Sequence, residues 1–112
     1  MTDYVQVVTT LSNQDDAERI ARSLVEQRLA ACVQIEGPIR SIYWWQDKME
    51  SAVEWRLVAK TRRDLYRDLE QSLATVHPFD VPEIVAVPIL AGHPGYLEWL
   101  EKELPGRRPQ GT

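Results

Sequence analysis

The chain has 112 residues, 44% of them hydrophobic and 27% charged, the proportions of a single globular domain rather than a disordered chain. Thirteen Lys and Arg against 17 Asp and Glu leave a net charge of −4, which argues against a nucleic-acid binder with a basic face. The single cysteine, Cys32, excludes an intramolecular disulfide, and neither a leader nor an apolar run of the ~18 residues of a membrane helix is visible, so a cytoplasmic protein with no membrane partner is expected.

Tyr4–Thr10 is β-branched and nearly continuous in apolar character, as in a central strand. Ser12-Asn13 offers an N-cap, followed by acids at Asp15, Asp16 and Glu18 where the helix dipole favours them. Ala17, Ile20, Ala21, Leu24 and Val25 then recur at helical spacing. Ala31–Ile35 returns to strand, interrupted at Gly37-Pro38, because a proline without an N–H belongs on an edge or at a bulge.

Ile39–Trp45 resumes the strand and enters a long hairpin that holds three of the four tryptophans. Gln46-Asp47-Lys48 is its turn, and its returning arm alternates Val53, Trp55, Leu57 and Ala59 with Glu54, Arg56, Val58 and Lys60. Thr61-Arg62-Arg63-Asp64 resembles a capping box, so a second helix is expected from Thr61, with Leu65, Leu69, Leu73 and Val76 inward. His77-Pro78 ends it. Glu83–Leu90 is a last strand that carries Pro88, again an edge signal, and Tyr96–Leu104 is a terminal helix with Tyr96 and Trp99 on its inward face.

The order β-α-β-β-α-β plus a helix predicts an α+β ferredoxin-like domain over residues 1–104, with strands one and three central and two and four at the edges. Pro105–Thr112 reads as a disordered tail. Two helices cover one sheet face and leave the other, with both edges, exposed; a homo-oligomer is therefore expected. Trp44, Trp45, Trp55 and Trp99 are the interface candidates, since aromatic residues are enriched in such contacts.

The most site-like stretch is His77-Pro78-Phe79-Asp80-Val81-Pro82-Glu83, where two prolines stiffen an imidazole and carboxylates. His77 and Glu83 are the metal candidates; a rigid connection with His77 capping the helix is the alternative reading. Lys60, with Arg62 and Arg63 at a helix start, could receive a small anion. Cys32 reads either as a small buried hydrophobe or as a ligand, and Tyr43 joins the aromatic set. No catalytic set, Cys-x-x-Cys pair or Gly-rich phosphate loop is recognisable.

Leu29-Ala30-Ala31-Cys32-Val33, Ser41-Ile42-Tyr43-Trp44-Trp45, Lys60-Thr61, His77-Pro78-Phe79, Pro82-Glu83-Ile84 and Tyr96-Leu97-Glu98-Trp99 resemble, in order and spacing, the CutA family of divalent-cation tolerance proteins. The resemblance implies a homotrimer similar in architecture to PII signalling proteins, with the long hairpin extending to neighbouring subunits. It implies no established catalytic activity and no required cofactor, a link to copper (Cu²⁺) and other divalent cations, and candidate sites in clefts between subunits near Cys32, Tyr43, Lys60, His77 and Glu83. At positions where some bacterial members carry suggested copper ligands, this chain has Thr9 and Val76, leaving His77. A trimer that only scaffolds a partner protein is the alternative.

Overall fold

A computed structural model describes residues 1–107, in the order β1 (Tyr4–Leu11), α1 (Gln14–Glu26), β2 (Cys32–Trp45), β3 (Lys48–Arg62), α2 (Tyr66–Val76), β4 (Val85–Pro88) and α3 (Pro94–Glu103). The four strands form one sheet in the order β2-β3-β1-β4, with β1 antiparallel to both of its neighbours. β1 and β3 are central, and the strands carrying Pro38 and Pro88 are the edges, as their missing N–H groups require.

The alternation of β1 separates the faces. Val5, Val7, Thr9 and Leu11 stand beside Thr61, Ala59, Leu57 and Trp55 of β3 on the face that α1 and α2 cover. Ile20, Leu24, Leu69 and Leu73 complete this core, each no more than 2% exposed. Burying each leucine stabilises the fold by about 1.5–3 kcal/mol. Asn13 caps α1 by accepting the Asp16 N–H at 2.8 Å. Val25 and Val76, expected among the inward residues, are more than 40% exposed.

The second helix does not begin at Thr61. β3 continues through Arg62, a short 3-10 turn follows at Arg63–Leu65, and α2 starts at Tyr66. Thr61 is fully buried, and its hydroxyl donates to the Leu29 carbonyl at 2.7 Å instead of capping a helix. Arg62, 1% exposed, donates to Asp64 at 2.6 Å, Glu101 at 3.0 Å and the Pro105 carbonyl at 2.8 Å. A guanidinium this buried persists because its fork of donors is filled by carboxylates and a carbonyl.

The second face is only partly open. α3 crosses its end, packing Leu100 and Leu104 on Tyr4 and Leu65. Leu97 joins Leu100 and Leu104 in that contact, whereas Tyr96 and Trp99, expected inward, are about 40% exposed and stack on each other at 5.7 Å. His93 caps α3, its Nδ1 accepting the Gly95 N–H at 3.1 Å. In the first residues of the expected tail, the Pro105 carbonyl accepts from Arg62 and Arg107 donates to Asp3 and Glu101. The rest of that tail, 108–112, lies outside the described residues.

The hairpin closes tightly. Trp45 pairs with Lys48, and the two turn residues Gln46 and Asp47 both have positive φ, 49° and 64°. This is the handedness that matches the twist of the arms, and Asp tolerates it better than most side chains. β2 has 14 residues, which at ~3.3 Å each span about 46 Å, the longest dimension of the molecule. β2 is one strand with a register shift between Glu36 and Ile39, around a cis Gly37-Pro38 bond. Beyond that shift most residues of β2 are exposed.

A candidate ligand cleft on the second sheet face

β1 turns Tyr4, Gln6, Val8 and Thr10 toward the second face, beside Arg62, Lys60, Val58 and Arg56 of β3. Beyond Arg56 the same side of the hairpin carries Glu54, Tyr43 and Trp45. The loop after α2 bends back over this region. Thr10, Tyr43, Trp45, Glu54, Phe79, Asp80 and Glu83 line a cleft of about 620 Å³ there, together with Ser41, Ile42 and Val81.

His77 lies behind the cleft wall, 9% exposed. Its Nδ1 accepts the Phe79 N–H at 3.2 Å, which leaves the proton on Nε2. Nε2 then donates to the Thr10 carbonyl at 3.0 Å, with the Thr9 hydroxyl at 3.1 Å. The Phe79 ring packs on the imidazole at 4.9 Å between centroids. Burial pushes the imidazole pKa down, against smaller upward pulls from the Thr10 carbonyl and the Glu54 carboxylate, so the ring is neutral near pH 7. One side chain thus ties the loop to β1 and positions both Phe79 and Thr10. It does not cap the helix through its side chain.

The candidate residues fall into two groups. Tyr43, Glu83 and Trp45 share the cleft, with His77 behind it. Cys32 and Lys60 face each other across β2 and β3 at the other end of the face, and the Lys60 ammonium lies 5.4 Å from the Tyr96 ring centroid. Glu54 and Lys60 are six positions apart on β3, roughly 20 Å along a strand. At the corner where Lys60, Arg62 and Arg63 were expected to receive an anion, only a 3-10 turn starts, at Arg63, while Arg62 is filled by its own partners and Arg63 lies 3.8 Å from Asp3.

Trp44 projects from the opposite side of the hairpin, 75% exposed, with Ile42 and Met49. Trp55 is half-buried against the domain's own core and lies on Gly37, while Trp99 is 41% exposed on α3. Among the described residues, no three His, Cys, Asp or Glu side chains gather closely enough to hold a metal ion. With both nitrogens of His77 engaged, the donor set in one chain does not fit a coordinated cation at His77 and Glu83. Sequence reasoning missed Glu54 and Thr10 as cleft residues and gave Phe79, within the site-like loop, no role of its own. A carboxylate between Val53 and Trp55 in the returning arm was the available signal.

A family model described as CutA1 divalent ion tolerance protein matches residues 5–103. The chain belongs to the CutA1 family. Protein CutA 1, chloroplastic, of Oryza sativa subsp. japonica is 40% identical over 97 residues, 87% of this chain and 55% of that protein. The chain therefore spans little more than half the length of that plant CutA protein. The crystal structure of CutA from Xylella fastidiosa superposes with a TM-score of 0.89 at 36% identity, covering 93% of this chain and all of that one. The periplasmic divalent cation tolerance protein CutA of Archaeoglobus fulgidus does so at 0.86 and 35%, over 89% of this chain and 97% of that one. The ferredoxin-like CutA fold accounts for the long hairpin and for the helix across the end of the second face. No helix among the described residues is long and apolar enough to cross a membrane.

Proposed function

We propose that this chain is a homotrimeric, cytoplasmic divalent-cation tolerance protein that senses a small ligand in clefts between subunits. The observation that carries the reading is the second sheet face. Tyr43, Trp45, Val85 and Val87 are each over 40% exposed there, beside unpaired strand edges and a hairpin that projects past the core. Monomers rarely leave so much apolar surface and edge uncovered. Pairing with neighbours would cover both and close the cleft on a second side. Sedimentation velocity at micromolar concentration tests this: a trimer supports the reading and a stable monomer overturns it.

The metal relation comes with the family, and copper is its first probe. Because His77 spends both nitrogens inside the chain, the cation response is assigned to the assembled cleft rather than to coordination by His77 and Glu83. Copper titration of wild type and His77→Ala is expected to give the same isotherm, and loss of a site in the variant would restore His77 as a ligand. A second reading, an interaction trimer that scaffolds a partner, is favoured by Ile42, Trp44 and Met49, each 66% or more exposed along one side of the hairpin. Under it, Trp45→Ala weakens the trimer while no metal or small molecule raises the melting temperature. Neither reading makes the protein an enzyme.

A further inference from the structure

Glu54 is an unusual residue to find in the middle of a central strand. It is 8% exposed and lines the cleft, yet it has no hydrogen bond or ion pair among the described residues. The cation two positions along the same face, Arg56, is turned to Glu36 at 3.4 Å. The imidazole on the other side, His77, is neutral and spends its donor on Thr10. The Glu54 oxygens keep contact with the open cleft, and a carboxylate there that no neighbouring side chain answers favours a counter-charge from outside.

The surroundings say what kind of counter-charge fits. Two more carboxylates, Asp80 and Glu83, line the cleft, and no Lys, Arg or His does. Tyr43, Trp45 and Phe79 supply aromatic walls. The acids do not converge with any His or Cys into a set that could hold a metal ion, and about 620 Å³ is far more room than a single dehydrated ion fills. Negative charge distributed around aromatic faces is the chemistry that recognises an organic ammonium, through ring quadrupoles at its alkyl surface and a carboxylate at its charge.

We propose that this cleft binds a small organic ammonium ion, with Glu54 as its counter-ion and Trp45, Tyr43 and Phe79 as its aromatic walls. The inference rests on the ligand-sensing reading above and gives that reading a ligand class, cationic and organic in place of the anion expected from Lys60. His77 is a positioning residue for this site, since it holds Phe79 and Thr10 in the wall without reaching the ligand.

Tetramethylammonium chloride and putrescine dihydrochloride, titrated by calorimetry into the full chain in amine-free buffer, test it. Sodium phosphate and copper(II) chloride are the comparison arms. Saturable binding of either ammonium is expected, weakened at least tenfold by Glu54→Gln, which keeps the side-chain shape and removes the charge. Trp45→Leu keeps apolar volume, removes the ring, and is expected to weaken tetramethylammonium several-fold even if the Glu54 variant folds poorly. Absence of ammonium binding to wild type, or equal affinity in the folded Glu54→Gln protein, overturns the proposal. Phosphate or copper binding that alone depends on Glu54 overturns the ligand class and leaves a ligand-sensing cleft standing. Sedimentation of the same samples separates the remaining failure: if Glu54→Gln dissociates the oligomer and wild type binds no ammonium, Glu54 is answered by a second copy of the chain, and this inference falls while the assembly stands.

Discussion

Gly37 is expected to be indispensable because of one neighbour. A Cβ placed on it would lie 2.7 Å from Cγ and 2.8 Å from Nε1 of Trp55, and closer still to Cδ1. Carbon contacts are comfortable at about 3.5–4.0 Å, so the indole would have to retreat by about 1 Å. It has little room to do so, since Trp55 packs on the core cluster around Leu57. Overpacking of this kind costs about 1–3 kcal/mol, and Gly37→Ala should lower the urea midpoint by about 1 M at a fixed protomer concentration. The same substitution in a Trp55→Leu background should cost less than half as much, because the clashing ring is gone. Urea denaturation of the four proteins closes a double-mutant cycle. An equal cost in both backgrounds would refute the reasoning and place the strain in the backbone instead of the indole.

Other outcomes follow from the buried polar contacts. Thr61→Val leaves the Leu29 carbonyl without its 2.7 Å donor and should destabilise by about 1–3 kcal/mol, read by denaturation. Since burial holds the His77 pKa below its ordinary 6.5, an unfolded chain takes up a proton there that the folded chain refuses. Stability should therefore be full above pH 6.5 and fall as the pH drops below it, and His77→Gln should flatten that slope in melting-temperature profiles. The Tyr4 hydroxyl, 2.6 Å from Glu101, is the main influence holding that carboxyl below the usual range, with Arg107 and Arg62 assisting and desolvation opposing. Glu101 is over a third exposed, so Tyr4→Phe should cost only about 1 kcal/mol. The contribution of the depressed Glu101 pKa is present above the ordinary carboxylate value of about 4.3 and is lost as the pH falls below it, so the variant should show a shallower acid limb.

Element order and strand placement were legible because the two signals involved are local. Period-two and period-three-to-four patterns mark the elements, and Pro38 and Pro88 point to the edges without knowledge of the partners. What escaped depends on residues far apart in the chain. Thr61-Arg62-Arg63-Asp64 reads as a helix start only if Arg62 is exposed, and nothing nearby tells that Glu101 and Pro105 will bury it. Tyr96 and Trp99 look like the inward face of α3 by size, but Leu97, Leu100 and Leu104 fit the surface formed by Tyr4 and Leu65. For the cleft, the loop was recognisable from its two prolines. The role of His77 was not, because its partners Thr9 and Thr10 are 68 and 67 residues away.

The contact between Arg107 and Asp3, 3.2 Å across almost the whole chain, has a topological consequence. Residues 3 and 107 lie side by side. They meet near the Tyr4–Arg62 end of the central strands, the end opposite the hairpin tip at Trp45 and Lys48. A circular permutant joining residue 3 to residue 107 by a short flexible linker should keep the fold and the cleft that Glu54 lines.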